Sequence, residues 1–108
     1  MRSADTLQGT LELLILKSLA HQSNHGFGIT LHVQTVSDSL LRVKEGSLYP
    51  ALHRMEKQKL LRGEWRKTEN GRRARWYSLT AAGRKRLAEA EENWTSLVEG
   101  IRRLLRFA

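Results

Sequence analysis

The spacing of apolar residues predicts two helices in the first third of the chain. Residues 6–20 carry apolar side chains at helical spacing on more than one side, as expected for a helix that is buried from several directions. The polar stretch 21–26 contains turn-forming residues and separates this helix from the next. Ile29, Val33 and Val36 then fall at i, i+4 and i+7, so a second, shorter helix is predicted.

A third helix is predicted to begin near Gly46 and Ser47. Pro50 is then expected in its first turn, where the missing N–H of a proline is tolerated. Just before this helix, residues 41–43 have the alternation of a very short strand. The apolar face of the helix consists of Leu48, Ala51, Leu52 and Met55.

The pair Asn70–Gly71 predicts a β-hairpin within residues 61–80. Asn-Gly favours a two-residue type I′ turn, because both residues tolerate positive φ. This turn would place Trp65 directly opposite Trp76, as a stabilising cross-strand pair. A four-residue turn over 68–71 stays open as the alternative, and it would shift the register and move side chains to the other face.

A long final helix is predicted after Thr80, which is a good N-cap residue. From residue 87 onward its apolar residues are separated by steps of three and four, as in the seam of a coiled coil. This seam could pack on the core of its own chain or on a second copy, and its length favours the second copy. The predicted dimer interface consists of Leu87, Ala90, Trp94, Leu97, Ile101 and Leu104.

Positive charge is concentrated in the middle of the chain. The 108 residues carry a formal net charge of +8, but residues 42–86 alone hold fourteen lysines and arginines against four glutamates. Basic charge gathered in one part of a folded domain is the usual mark of a surface that binds a polyanion. A generally basic surface without such a partner is the alternative interpretation.

The composition argues against several other classes of protein. The chain has no cysteine, which excludes a disulfide scaffold and thiolate metal sites and is compatible with a reducing cytoplasm. The apolar run 11–20 is too short to span a bilayer and the N-terminus lacks a signal-peptide pattern, so a soluble cytoplasmic protein is expected. His21 and His25 lie in a turn without acidic partners, and no catalytic motif is recognisable. We therefore expect no metal, no cofactor and no enzymatic activity.

Three helices followed by a two-stranded ribbon are the arrangement of a winged helix-turn-helix, and four segments resemble the PadR family of bacterial transcriptional regulators. The segments are LQGTLELLILKSLA at 7–20, HGFGI at 25–29, EGSLYPALHRME at 45–56 and RRARWYSLTAAGRKRL at 72–87. The resemblance implies a mainly α fold with a small β-hairpin. Residues 1–80 would form the winged helix-turn-helix and residues 81–108 a C-terminal dimerisation helix. It also implies a dimeric repressor or regulator of the short form.

In proteins of this kind the helix that carries GSLYPALHR enters the major groove of DNA and the hairpin forms a wing. Small residues at the start of that helix allow close approach, and arginine is the side chain that most often contacts guanine. Five cations around the hairpin tip exceed what a strand edge needs against aggregation, and they suit the DNA backbone or the minor groove. The expected partner is a pseudo-palindromic duplex operator. The expected DNA contacts are Ser47, Tyr49, Pro50, His53, Arg54, Lys57, Arg66, Lys67, Arg72, Arg73 and Arg75.

Two other functions stay open from the sequence. The same charge could serve a module that binds DNA or RNA without sequence preference. Alternatively, a small aromatic effector could bind at the dimer interface beside Trp94, with Val98, Leu11 and Ile15 as further wall residues. Some PadR-like proteins use the dimer interface in this way. The plainer interpretation is that the large indole of Trp94 fills a wide part of the interface.

Overall fold

Four helices and three short strands make up the described part of the chain. The computed structural model describes the backbone of residues 3–107 and the side chains of residues 9–107. The predicted fold class, mainly helical with a small β-hairpin, is confirmed. None of the helices in residues 3–107 is long and apolar enough to cross a membrane. The elements are α1 (Ser3–His21), β1 (Asn24–His25), α2 (Gly26–Val36), α3 (Glu45–Lys57), β2 (Leu61–Lys67), β3 (Arg73–Leu79) and α4 (Ala81–Phe107).

The hydrophobic core lies between α1, α2, α3 and the base of the hairpin. In α1, the adjacent residues Ile15 and Leu16 are both fully buried, which explains why this helix is apolar on more than one side. Full burial of a large aliphatic side chain contributes about 1.5–3 kcal/mol, so these helices are stabilised mainly by packing on each other. The largest fully buried side chains are Ile15, Leu16, Ile29, Leu48, Leu52 and Met55.

The third strand of the sheet is not where the sequence predicted a short strand. Residues 41–43 form no strand, and Val43 instead points into the core. The short strand is β1, which pairs antiparallel with β3 through Asn24↔Tyr77 and His25↔Trp76. The sheet order is therefore β1-β3-β2. β1 and β2 thus lie on the two sides of β3, and residues 41–43 do not belong to the sheet.

Helix α3 begins one residue earlier than the predicted start. Its first residue is Glu45, and the preceding Lys44 provides no side-chain cap. Pro50 consequently lies in the second turn rather than the first, which corrects the prediction. A proline there cannot donate to the carbonyl of Gly46, so the helix lacks one backbone hydrogen bond on its outward side.

The hairpin register differs by one residue from the predicted type I′ pairing. Gly71 alone takes the left-handed conformation, at φ +77°, whereas Asn70 does not have a positive φ. The Gly71 N–H donates to the Thr68 carbonyl at 2.9 Å, and the Thr68 N–H donates to the Arg72 carbonyl at 2.6 Å. The loop is thus a turn closed by a left-handed glycine, a connection with three residues rather than two.

This register separates the two tryptophans that were expected to pair. Trp65 lies opposite Arg75, and Trp76 lies opposite Glu64. Side chains alternate between the two faces of a strand, so Trp65 and Trp76 lie on opposite faces of the hairpin. The predicted cross-strand tryptophan pair is therefore wrong.

Helix α4 is attached to the rest of the fold at its first turn. The Thr80 hydroxyl accepts a hydrogen bond from the Gly83 N–H at 3.0 Å, which confirms Thr80 as the N-cap. The same hydroxyl lies 2.7 Å from the Lys59 carbonyl and 3.0 Å from the Leu60 carbonyl. The start of α4 is consequently fixed against the turn that leads into β2.

The first half of α4 packs along α1, and the second half extends beyond it. Ion pairs join the two helices, from Lys17 to Glu91 at 3.1 Å and from Arg86 to Glu12 at 2.9 Å. Leu87, predicted at the dimer interface, is only 8% exposed and belongs to the chain's own core. Its assignment to the interface is corrected, because α1 already covers that part of the seam. Trp94, Ile101 and Leu104 stay exposed, and Ala90 and Leu97 are half-buried.

We predict that Gly83→Ala destabilises the fold by about 2–3 kcal/mol, because the added methyl group would overpack a tight contact. A Cβ at position 83 would lie 2.2 Å from the Leu60 carbonyl oxygen, which is backbone and cannot rotate away. Urea denaturation at one fixed protein concentration measures the change. Gly46→Ala is the control, since a Cβ at position 46 meets no described atom within 4 Å. Equal effects of the two substitutions would contradict the prediction.

Candidate nucleic-acid interface

A concave surface lies between the start of α2, the outward side of α3 and the hairpin. We call the hairpin (β2, β3 and their loop) the wing and this concave surface the cleft. The cleft has a volume of about 970 Å³. Helix α3 supplies one wall and the basic tip of the wing supplies another. Of the predicted DNA contacts, the cleft is lined by Tyr49, His53, Lys67, Arg72, Arg73 and Arg75.

The other predicted contacts lie around the cleft rather than in its wall. Ser47, Pro50 and Lys57 are exposed on α3, whereas Arg54 in the same helix is half-buried. Arg66 is exposed on the opposite face of the wing from Trp65, since the two residues are adjacent in β2. The cleft therefore brings together six of the eleven predicted contacts, and the other five lie outside its wall.

Tyr49 is positioned in the cleft by a glycine at the start of α2. A Cβ at position 26 would lie 2.7 Å from a ring carbon of Tyr49 and 2.9 Å from its hydroxyl oxygen. Only glycine allows this approach without displacing the ring. The exposed phenol of Tyr49 is thus packed against the backbone of α2, where it can donate a hydrogen bond toward the cleft.

His25 connects the N-terminus of α2 with the wing. Its Nδ1 accepts a hydrogen bond from the Gly28 N–H at 3.1 Å and so caps α2. Its ring also meets Trp76 edge-on, with ring centroids 4.9 Å apart. One side chain therefore fixes both the helix start and the face of β3 that carries Trp76.

An ion pair joins α3 directly to the wing. Arg75 Nη2 lies 2.5 Å from Glu56 Oε2, and Arg75 Nε donates to Glu56 Oε1 at 3.4 Å. Both side chains are about 70% covered, with relative exposures of 29% and 27%. The hydrogen bonds to Glu56 raise the pKa of the Arg75 guanidinium above its already high ordinary value. Arg75 is therefore bonded to Glu56 within the protein, although it was predicted to contact DNA.

The surroundings of this ion pair are closely packed. A Cβ at position 63 would lie 2.8 Å from Arg75 Nε and 2.9 Å from Glu56 Oε1, so Gly63 leaves the space through which the pair passes. Tyr77 lies beneath it, and burial raises the pKa of its hydroxyl, with the carboxylate of Glu56 adding to the shift. The join between α3 and the wing is thus built from both strands and the helix.

Trp65 and Arg73 form a second arrangement on the same face of the wing. The Arg73 guanidinium carbon lies 5.4 Å from the centre of the Trp65 ring, and that of Arg75 lies 5.5 Å from it. Both distances are within the range of cation–π contacts. Trp65 is 58% exposed and lines the cleft, so its ring is flanked by two guanidinium groups and open to solvent.

Arg66 belongs to the other face of the wing and already has partners. It forms an ion pair with Glu64 on the same strand, with Nε 2.7 Å from Oε1. Its guanidinium also lies 5.3 Å from the centre of the Trp76 ring. Both side chains of the ion pair are exposed, so a DNA phosphate could still compete with Glu64 for Arg66.

Several residues that build the interface were not identified from the sequence. Glu56 is the main example, because in the sequence a glutamate within a basic segment only lowers the net charge of that segment. Gly26 and Gly63 were not identified because their function depends on atoms far away in the chain. Trp65 was predicted only as the cross-strand partner of Trp76. The one signal that the sequence offers for Trp65 is that it is an aromatic residue among polar neighbours.

A second concave surface lies between α1 and α4, beside Trp94. This groove has a volume of about 500 Å³, and Leu13 and Leu97 form apolar parts of its wall. Ile15 is fully buried in the core, and neither it, Leu11 nor Val98 lines the groove. The assignment of Ile15 to the effector wall is corrected, because its side chain is buried in the core of its own chain, whereas Leu11 and Val98 at the dimer interface stay a prediction. Within residues 9–107, moreover, no group of three or more metal-ligating side chains comes together.

We predict that Glu56→Gln lowers the stability of the protein, because it leaves the mostly covered Arg75 guanidinium without its countercharge. Glu64→Gln is the matched control, since it removes a carboxylate from a solvent-exposed pair within one strand, which is worth between zero and about 1 kcal/mol. Thermal unfolding followed by circular dichroism should show a clearly lower midpoint for Glu56→Gln than for Glu64→Gln. Equal midpoints would show that the pair between α3 and the wing does not stabilise the fold.

Proteins that are similar in sequence or in structure include several transcriptional regulators. The transcriptional regulator Rv3488 of Mycobacterium tuberculosis is 40% identical over 82 residues, which cover 76% of this chain and 73% of that protein. A transcriptional regulator from Clostridium thermocellum has a similar structure, with a TM-score of 0.82 and 26% identity over 92% of this chain and 96% of the other. A PadR-like transcription factor from Bacteroides fragilis gives a TM-score of 0.74 at 31% identity, over 94% and 95% of the two chains.

A protein-family model matches most of the described chain. The model of the transcriptional regulator PadR-like family matches residues 15–89, from the middle of α1 through the start of α4. This span contains α3, the wing and the cleft between them. The family consists of DNA-binding transcriptional regulators rather than enzymes. The chain belongs to the PadR-like family of transcriptional regulators.

Proposed function

We propose that this regulator is a cytoplasmic homodimer that binds a pseudo-palindromic DNA operator and represses transcription. The observation that carries the proposal is the cleft, in which Tyr49 and His53 of α3 face Lys67, Arg72 and Arg73 of the wing. A helix and a cationic hairpin on one side of a small domain can engage a groove and the adjacent backbone together. Repression then requires only that the bound dimer occupies the DNA.

Helix α3 is the proposed recognition helix, and it lies in the major groove. Its outward side begins with Gly46 and Ser47, and a Cβ at position 46 would meet no described atom within 4 Å. The exposed start of the helix is therefore narrow enough to approach the base edges closely. Tyr49 and Ser47 are suited to phosphates or base edges, and His53 and Arg54 to bases.

The wing is the proposed contact to the DNA backbone or the minor groove. Arg72, Arg73 and Lys67 surround its tip, and within residues 9–107 none of them has a carboxylate partner within 4 Å. Cations without partners repel each other and are stabilised when a phosphate approaches. Arg75 contributes by holding the wing in place rather than by direct contact.

The second half of α4 is the proposed dimerisation surface, so that residues 1–80 bind DNA and residues 81–108 pair the chains. Trp94, Ile101 and Leu104 are exposed in the monomer and lie on one seam. A two-fold axis through this seam would present two copies of α3 about 34 Å apart, one turn of DNA. An aromatic effector in the groove beside Trp94 stays a prediction, as does the alternative of binding without sequence preference.

The test of sequence-specific binding is the selection of bound duplexes from random DNA. We expect a two-fold symmetric motif with half-sites about 10 base pairs apart. On that motif Arg54→Ala should cost about 1–3 kcal/mol of binding free energy, and less on random DNA. Lys57→Ala is the comparison in the same helix, and it should weaken binding to both DNAs alike. Selection without an enriched motif would favour the non-specific module.

The dimer is tested by truncating one seam residue and one neighbouring residue. Leu104→Ala removes apolar surface that is 68% exposed in the monomer, and it should weaken dimerisation about tenfold or more. Arg103→Ala, at a charged position outside the predicted seam, should leave the dimer constant close to that of the wild type. Sedimentation equilibrium measures both constants. A monomeric wild-type protein, or equal effects of the two substitutions, would contradict the proposed interface.

A further inference from the structure

We propose that Trp65 is a positioning residue for DNA binding: its indole holds the guanidinium of Arg73 in the orientation that bonds a backbone phosphate. This inference rests on the proposed function and assigns a role to Trp65, which the sequence analysis treated only as a cross-strand partner of Trp76. It concerns the face of the wing that lines the cleft, where the indole is 58% exposed.

Trp65 contributes little to the hydrophobic core. On its face of the wing, Leu61 and Tyr77 are buried at the base of the hairpin, next to α3 and α1. Trp65 pairs with Arg75 further toward the tip and stays outside the buried cluster. A large apolar ring at such a position is not explained by burial, so its contacts on the surface of the wing carry the explanation.

The two guanidinium groups beside the Trp65 ring differ in their freedom. Arg75 is bonded to Glu56 through two nitrogens and is fixed to α3. Arg73 has no carboxylate within 4 Å among residues 9–107, and its guanidinium carbon lies over the Trp65 ring, 5.4 Å from the ring centre. All five N–H donors of Arg73 are thus available to an external acceptor.

Stacking on an indole orders an arginine without using its hydrogen bonds. The contact is made through the flat face of the guanidinium, while the donors project from its edge. A phosphate diester accepts two parallel N–H bonds from that edge. Because the side chain is already ordered, less conformational entropy is lost when the phosphate binds. Arg75, which is fixed by Glu56, also contacts the Trp65 ring and so helps to hold the ring in place.

The inference predicts a coupling between Trp65 and Arg73 in the affinity for DNA. Each phosphate contact contributes about 0.9 to the slope of log affinity against log salt concentration on duplex DNA. Arg73→Ala should therefore reduce the slope by about 0.9. Trp65→Leu keeps the charge of Arg73, so it should change the slope by less than Arg73→Ala does, but it should weaken binding about fivefold in dilute salt, as expected for an exposed cation–π contact. The double variant should bind little more weakly than Arg73→Ala alone.

The experiment measures these affinities by fluorescence anisotropy with a labelled duplex, at four or more salt concentrations. Trp65→Phe keeps an aromatic face and should restore most of the affinity, and it keeps the test decisive if leucine perturbs the strand. Leu40→Ala is the control, since Leu40 is exposed, apolar and outside the cleft. It should leave affinity and slope at wild-type values.

Three results would overturn the inference. Trp65→Leu could bind as the wild type does, Trp65→Phe could bind as weakly as Trp65→Leu, or the effect of Trp65→Leu could multiply with that of Arg73→Ala. In each case the wild-type protein still binds duplex DNA, so the proposed function stands and only the role of Trp65 is rejected. A wild-type protein that does not bind duplex DNA in dilute salt would overturn both.

Discussion

The proposed use of α3 and the wing as one DNA-binding surface depends on the ion pair between Glu56 and Arg75. Of the ion pairs within residues 9–107, it is the one that joins α3 to the wing. A two-stranded hairpin is only marginally stable by itself, and it needs support from a helix or a further strand. The pair gives that support near the middle of the wing, and β1 gives it on the other edge. The orientation of the basic tip relative to α3 is therefore set by tertiary contacts.

The ion pair also separates two classes of cation that are identical in the sequence. Arg75 is paired with Glu56, whereas Arg72 and Arg73 at the tip have no carboxylate partner among residues 9–107. Unpaired like charges destabilise the folded chain by repulsion, and this repulsion is released when an anion binds. A surface of this kind gains more from DNA than a surface whose cations are already paired. Part of the net charge of +8 consequently holds the wing in place, and part of it is available for binding.

Small residues set the close contacts that build the cleft and anchor α4. Gly26 allows Tyr49 to pack over the start of α2, and Gly63 leaves room for the ion pair. Gly83 lets α4 approach the Leu60 carbonyl, next to the cap at Thr80. In each case the neighbour is distant in sequence, so the requirement for glycine arises from packing rather than from local backbone conformation.

The sequence by itself determined the order of the helices, the existence of the hairpin, the fold class and the family. Those features follow from helical periodicity, from turn residues and from a motif order that spans the chain, all of which are local or read along one dimension. Only the tertiary structure decided the register of the hairpin, because the turn was closed by one left-handed glycine instead of two left-handed residues. It also decided that Leu87 and Ile15 are core residues, that Arg75 is bonded to Glu56 and that Trp65 faces the cleft. These outcomes depend on which elements pack together, and a one-residue change in register exchanges the two faces of a strand.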